Sequence, residues 1–127
     1  MHRFARLTVA AIAVAALAAC SSGGGTANGT PGAAGSGCTK STSTGTVAAA
    51  IKDFEFTPTA VTAKVGDVIT WTNNGATQHN PTLDDGSCQT DPINGGATGS
   101  LAFSKAGTFP FHCAIHPSMK GTITISG

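Results

Sequence analysis

The chain has little charge and almost no charge imbalance. Lys, Arg, Asp and Glu make up 10% of its 127 residues, and the formal net charge is +1. Lys and Arg are scattered rather than clustered among aromatics, so nothing is built to follow a phosphate backbone, and nucleic acid is excluded as a partner. Long apolar runs are also missing. The most apolar stretch, Leu7 to Ala19, falls short of the roughly 20 residues that a membrane-spanning helix needs. No stretch carries a sustained helical period, which points away from helical bundles. Histidine is scarce: the four are His2, His79, His112 and His116.

What is present begins with an export signal. Arg3 and Arg6 precede the apolar run, and residues 1–19 read as a signal peptide. The run ends in Leu17-Ala18-Ala19-Cys20-Ser21, which resembles a bacterial lipobox. That resemblance implies cleavage before Cys20 and lipidation of Cys20. The other reading is an ordinary secretory signal cut after an A-x-A-like site. Either way the chain works outside the cytoplasm, in the periplasm or at the cell surface. Removing residues 1–19 takes away two Arg from the seven basic residues, leaving five Lys against six acids.

Residues 20–45 are rich in Ser, Gly, Thr and Ala. They lack the apolar content needed to offset the entropy of ordering and read as a flexible tether. As a Gly-rich coil, residues 21–37 reach about 20–25 Å. A lipid at Cys20 would therefore hold the folded part at a membrane.

Residues 46–127 form one small domain, expected to be all-β. Apolar residues alternate at Val47, Ala49 and Ile51, at Phe54 and Phe56, and at Val61, Ala63 and Val65. Val68 to Thr72 is rich in β-branched residues and holds the lone Trp71. Later strands are expected over Gly99–Lys105, Thr108–Cys113 and Thr122–Ser126. Turn signals at close spacing, such as Asn73-Asn74-Gly75, suggest a sandwich or barrel of about 7–8 strands. Trp71, Phe54, Phe56, Phe103 and Phe109 are expected in the core. Thr82 to Thr98 reads as a long loop, with Asp84 and Asp85 in a solvated turn.

The chemistry lies in Phe111-His112-Cys113-Ala114-Ile115-His116-Pro117-Ser118-Met119. Cys113, His116 and Met119 supply a thiolate, an imidazole and a thioether at intervals of three. His79 supplies a second imidazole from a distant stretch. Two His and one Cys with a weak axial Met is the ligand set of a blue-copper electron-transfer site. Alternation turns Phe109, Phe111 and Cys113 inward and His112 outward. With Cys113 as a ligand and Cys20 lipidated, Cys38 and Cys88 are left as an even pair in an oxidising compartment. A disulfide is expected there, two free thiols being the alternative.

Several segments together resemble one family. These are Phe54-Glu55-Phe56-Thr57-Pro58, the stretch from Gly66-Asp67 through Trp71 to Asn73, His79-Asn80, and the run Phe111 to Ile123. The chain resembles a cupredoxin of the plastocyanin, pseudoazurin and amicyanin group, and its short Cys-x-x-His-x-x-Met loop is most similar to amicyanin. The resemblance implies a Greek-key β-sandwich binding one copper ion. It implies His79, Cys113 and His116 as equatorial ligands, Met119 as the axial one, and Asn80 tying the two ligand loops together. His116 would face solvent, with Ala76, Pro117 and Met119 forming an apolar docking surface for redox partner proteins. A non-enzymatic, monomeric electron carrier is expected, with copper storage or delivery as the alternative. A catalytic second copper would need more His than His112 alone.

Overall fold

The computed structural model describes residues 35–127. The signal segment 1–19, Cys20 and the first part of the expected tether lie outside the described residues. Among the described residues there is no helix, and nine strands form two sheets. The strands are β1 (Cys38–Ser41), β2 (Val47–Lys52), β3 (Glu55–Thr57), β4 (Ala60–Lys64), β5 (Val68–Asn73), β6 (Pro81–Leu83), β7 (Thr98–Phe103), β8 (Gly107–Cys113) and β9 (Lys120–Ser126).

One sheet runs β1-β7-β5-β2-β3 and the other β4-β9-β8-β6. The pairs β2 with β5 and β4 with β9 are parallel, and the remaining neighbours are antiparallel. Alternating residues face inward from both sheets, as a sandwich requires. In β4, Val61 and Ala63 are buried and Thr62 is exposed; in β9, Ile123 and Ile125 are buried and Thr124 is exposed. The core centres on Trp71, Phe56, Phe103, Phe111, Ile51, Ile69 and Leu101. The Phe111 ring lies 4.7 Å from Phe56 and 5.7 Å from Trp71, centroid to centroid. This packing fixes β8, whose last residue is Cys113.

Four features differ from the sequence expectation. The strand count is nine rather than 7–8, because β1 and the short β6 were not anticipated. β1 falls inside the stretch read as tether, so folded structure begins before residue 46. Its polar residues suit an edge strand, and pairing with β7 plus a Cys38–Cys88 disulfide holds it in place. Phe54 is not a core residue: it is 61% exposed, on a turn where Asp53 adopts a positive φ of 53°. That turn breaks the alternation that would have buried Phe54 alongside Phe56. Finally, residues 82–98 are not all loop. Pro81–Leu83 pairs with Phe111–Cys113, and Gln89 and Ile93 bridge back to Thr82 and His79.

Candidate metal centre

Cys113 reaches the site because β8 ends there with its side chain inward and fully buried. The chain then turns sharply and returns as β9. Two backbone hydrogen bonds close the turn, Cys113 N to Met119 O at 3.0 Å and Met119 N to His116 O at 2.9 Å. The turn carries His116 half-buried and Met119 buried, and leaves Ala114, Ile115 and Pro117 exposed. His79 arrives from the other side, just before β6, and is completely buried.

The donor atoms converge. Cys113 Sγ lies 3.7 Å from His79 Nδ1 and 3.8 Å from His116 Nδ1, and the two Nδ1 atoms are 3.3 Å apart. These separations define a triangle whose circumcentre is about 2.1 Å from each corner, a length at which imidazole nitrogen binds a first-row metal ion. Among the described residues, no other group of three His, Cys, Asp or Glu side chains has the spacing to hold a metal. Soft sulfur together with two imidazoles suits copper, and Met119 lies buried on the same loop. The residues fit a single copper ion.

Electrostatics keeps His79 available as a ligand. Burial pushes its pKa below the ordinary histidine value, and the neighbouring His116 pushes it further down. The Asp53 carbonyl opposes this more weakly, and Nε2 closes no hydrogen bond. The imidazole is therefore held neutral, as metal binding requires.

Asn80 joins the two ligand segments, but through its backbone. Its N–H donates to Cys113 Sγ at 3.3 Å, and its carbonyl accepts from Ala114 N at 3.0 Å. Its side-chain amide points elsewhere, donating to Thr90 O at 2.8 Å. His112 turns away from the cluster and pairs with Asp84, Nδ1 to Oδ1 at 2.6 Å. Asp84 is therefore not simply solvated. Asp85 does sit in an exposed turn, where hydrogen bonds from Ser87 hold its carboxyl below the usual carboxylate range.

Phe54 is the residue that the sequence reading placed wrongly and the site recruits. Its ring stands edge-on to His116, with centroids 5.0 Å apart, and to His79 at 6.2 Å. With Ile115, Pro117 and Ala76 it gives the exposed surface around His116 an apolar character, whereas Met119, expected on that surface, is buried in the core. The cue was Asp53 before Phe54: Asp tolerates the left-handed backbone of a turn better than most residues.

Comparison with known proteins agrees with this geometry. The model of the cupredoxin-like domain matches residues 9–125. Plastocyanin from Scenedesmus fuscus is 35% identical over 83 residues, covering 55% of this chain and 85% of that protein. Amicyanin from Paracoccus denitrificans is 34% identical over 67 residues, covering 49% of this chain, which spans only about half (51%) of that relative's length. A solved structure of a reduced amicyanin variant is 28% identical, with a TM-score of 0.57 over 63% of this chain and 81% of the other. A reduced Cu(I) amicyanin variant has a TM-score of 0.62 at 24% identity, over 71% of this chain and 99% of the other, a likeness of fold. By its sequence, its two-sheet fold and its donor cluster, the chain belongs to the cupredoxin-like family.

Proposed function

We propose that this chain is a type 1 (blue) copper protein that shuttles single electrons between extracytoplasmic redox partners. His79, Cys113 and His116 would hold the copper through one thiolate and two imidazoles, with the Met119 thioether as a further, weaker donor. The observation that carries this reading is the convergence of one Sγ and two Nδ1 atoms on a point about 2.1 Å from each, a metal-ligand distance. Copper, when bound, supplies a one-electron Cu(I)/Cu(II) couple.

The chain's own residues keep the ligands still and connect them to the surface. Thiolate and thioether favour the reduced metal, imidazole serves both states, and a scaffold that barely moves suits electron transfer. The Asn80 N–H at 3.3 Å from Cys113 Sγ withdraws charge from the sulfur and helps set the potential. Half-buried His116 is the port, and the apolar patch of Phe54, Ala76, Ile115 and Pro117 is the face offered to redox partner proteins. His112 is paired with Asp84 and turned away from the donor cluster, which supports a carrier with a single metal site.

The same reading has residues 1–19 removed and Cys20 lipidated. The Gly- and Ser-rich residues that follow would tether a monomeric domain at the membrane, in the periplasm or at the cell surface. Anchoring raises the carrier's concentration near membrane-bound donors and acceptors.

Voltammetry of the copper-loaded chain tests the carrier role. A reversible one-electron wave, retained over many cycles, is expected. Loss of copper on each change of oxidation state would replace the carrier with a storage or delivery protein.

A further inference from the structure

Beyond β6 the chain doubles back on the ligand His79. Leu83 N donates to Cys88 O at 2.9 Å, closing a tight reversal. The returning arm, Gln89 to Ile93, then runs antiparallel to His79–Thr82. Its backbone brackets the ligand from both directions: His79 N donates to Ile93 O at 3.1 Å, and Ile93 N donates to His79 O at 2.7 Å. Thr90 N donates to Pro81 O at 3.0 Å, and Thr90 O receives the Asn80 side-chain amide at 2.8 Å. His79 thus owes its backbone position to an arm that is not itself part of either sheet.

That arm is fastened from outside at two places: Asn73 of β5 donates its side-chain amide to Ile93 O at 2.9 Å, and the remaining fasteners come from β1 or the residues just before it. Cys38 is bonded to Cys88, where the arm begins. The Ser87 hydroxyl donates to Ser36 Oγ at 2.8 Å. Lys40 Nζ contacts both oxygens of Asp91, at 2.8 and 3.0 Å. β1 is in turn paired with β7 across Cys38–Ser41. The arm also lies close on β7, where a Cβ added at Gly99 would come within 2.6 Å of the Ile93 side chain. β7 belongs to one sheet and β6, next to His79, to the other. β1 therefore stitches the arm to the sheet opposite the one that carries Cys113.

We infer that β1 and its Cys38–Cys88 bridge are positioning elements of the metal centre, holding the arm Gln89–Ile93 against His79 and so fixing the direction of its imidazole. This rests on the metal-centre reading above. A bridge acting only as a general staple would stabilise the whole domain without a preference for His79.

The test compares the full chain with the pair Cys38→Ser/Cys88→Ser. Amide exchange is followed in the metal-free protein at several sub-denaturing urea concentrations. Local opening depends little on urea and is thereby separated from global unfolding. In the variant, the amides of His79, Thr90 and Ile93 are expected to gain a urea-independent route, about tenfold or more faster than global exchange. The amides of β4 and β9 should gain none. Copper(II)-loaded variant protein should also show an altered visible and electron-spin-resonance signature.

If His79, Thr90 and Ile93 exchange only with the whole domain, the inference is overturned. An unchanged copper signature despite local opening overturns it as well. The Cys38→Ala/Cys88→Ala pair, which leaves no hydroxyl at the buried Cys88 position, serves where the Ser pair does not fold. Failure of both to fold would make the bridge a general staple and would also overturn the inference. A parent protein that lacks a blue-copper signature would instead remove the metal-centre reading itself, whatever the exchange data show.

Discussion

Replacing Phe54 with Ala separates a residue that serves the site from one that serves the core. Phe54 is 61% exposed, so truncation forfeits about two fifths of a burial worth roughly 1.5–3 kcal/mol when complete, or about 1 kcal/mol. For a domain of this size that lowers Tm by about 4–8 °C. The consequence for the site is separate. The ring stands edge-on to His116 at 5.0 Å, a contact worth about 0.5–1.5 kcal/mol beyond area burial. Were all of that contact to favour one oxidation state, the potential would move by about 20–65 mV for a one-electron couple. Removing the ring admits water beside the ligands and favours the more highly charged Cu(II), so the potential should fall. Urea unfolding of the metal-free chain measures the first quantity and voltammetry of the loaded chain the second. A stability loss above about 3 kcal/mol would mean that Phe54 is a core residue after all. A potential that stays fixed or rises would refute its role as a cover for His116.

Loss of the Cys38–Cys88 bridge should be costly. The bridge closes a separation of 50 residues, for which chain entropy gives about 4 kcal/mol; calorimetry of the Cys38→Ser/Cys88→Ser pair should show a correspondingly lower Tm, and an unchanged Tm would count against a formed bridge. Gly121→Ala would drive a Cβ to within 2.5 Å of the Phe111 ring and 2.7 Å of Thr59 O. Such overpacking costs about 1–3 kcal/mol and should appear as a lower urea midpoint. The folded-state pKa of His79 lies below its unfolded value, so as pH falls the unfolded chain takes up that proton first. The stability His79 contributes is fully present above about pH 6.5 and declines below it, no more steeply than about 1.4 kcal/mol per pH unit. Comparison with metal-free His79→Gln isolates this dependence, and equal pH profiles for the two proteins would contradict it.

The site was largely legible because its grammar is local. Cys113, His116 and Met119 sit at fixed intervals where an alternating strand ends, so period and ligand chemistry together name three of the four proposed donors. His79 could be proposed only by ligand chemistry and family likeness, since what brings it to Cys113 is the pairing of β6 with β8. β1 was hidden for a related reason. Cys-Thr-Lys-Ser carries no apolar alternation, and what orders it lies about 50 residues away, at Cys88 and Asp91. Phe54 shows the opposite failure. Its alternation with Phe56 was real in the sequence but was interrupted by the turn at Asp53, a backbone choice that the hydrophobic pattern does not encode. The role of Asn80 was anticipated, though not that its backbone would do the tethering while its side chain secured the arm at Thr90.

A thiolate and two imidazoles converging on one copper ion carry an optical signature. The most direct measurement is an optical titration of the metal-free chain with Cu(II), run beside Cys113→Ser. An intense visible thiolate-to-copper band is expected, saturating at one equivalent in the parent protein and absent from the variant. A parent protein that binds copper without the band, or a Cys113→Ser variant that keeps it, would rule out Cys113 as the thiolate ligand.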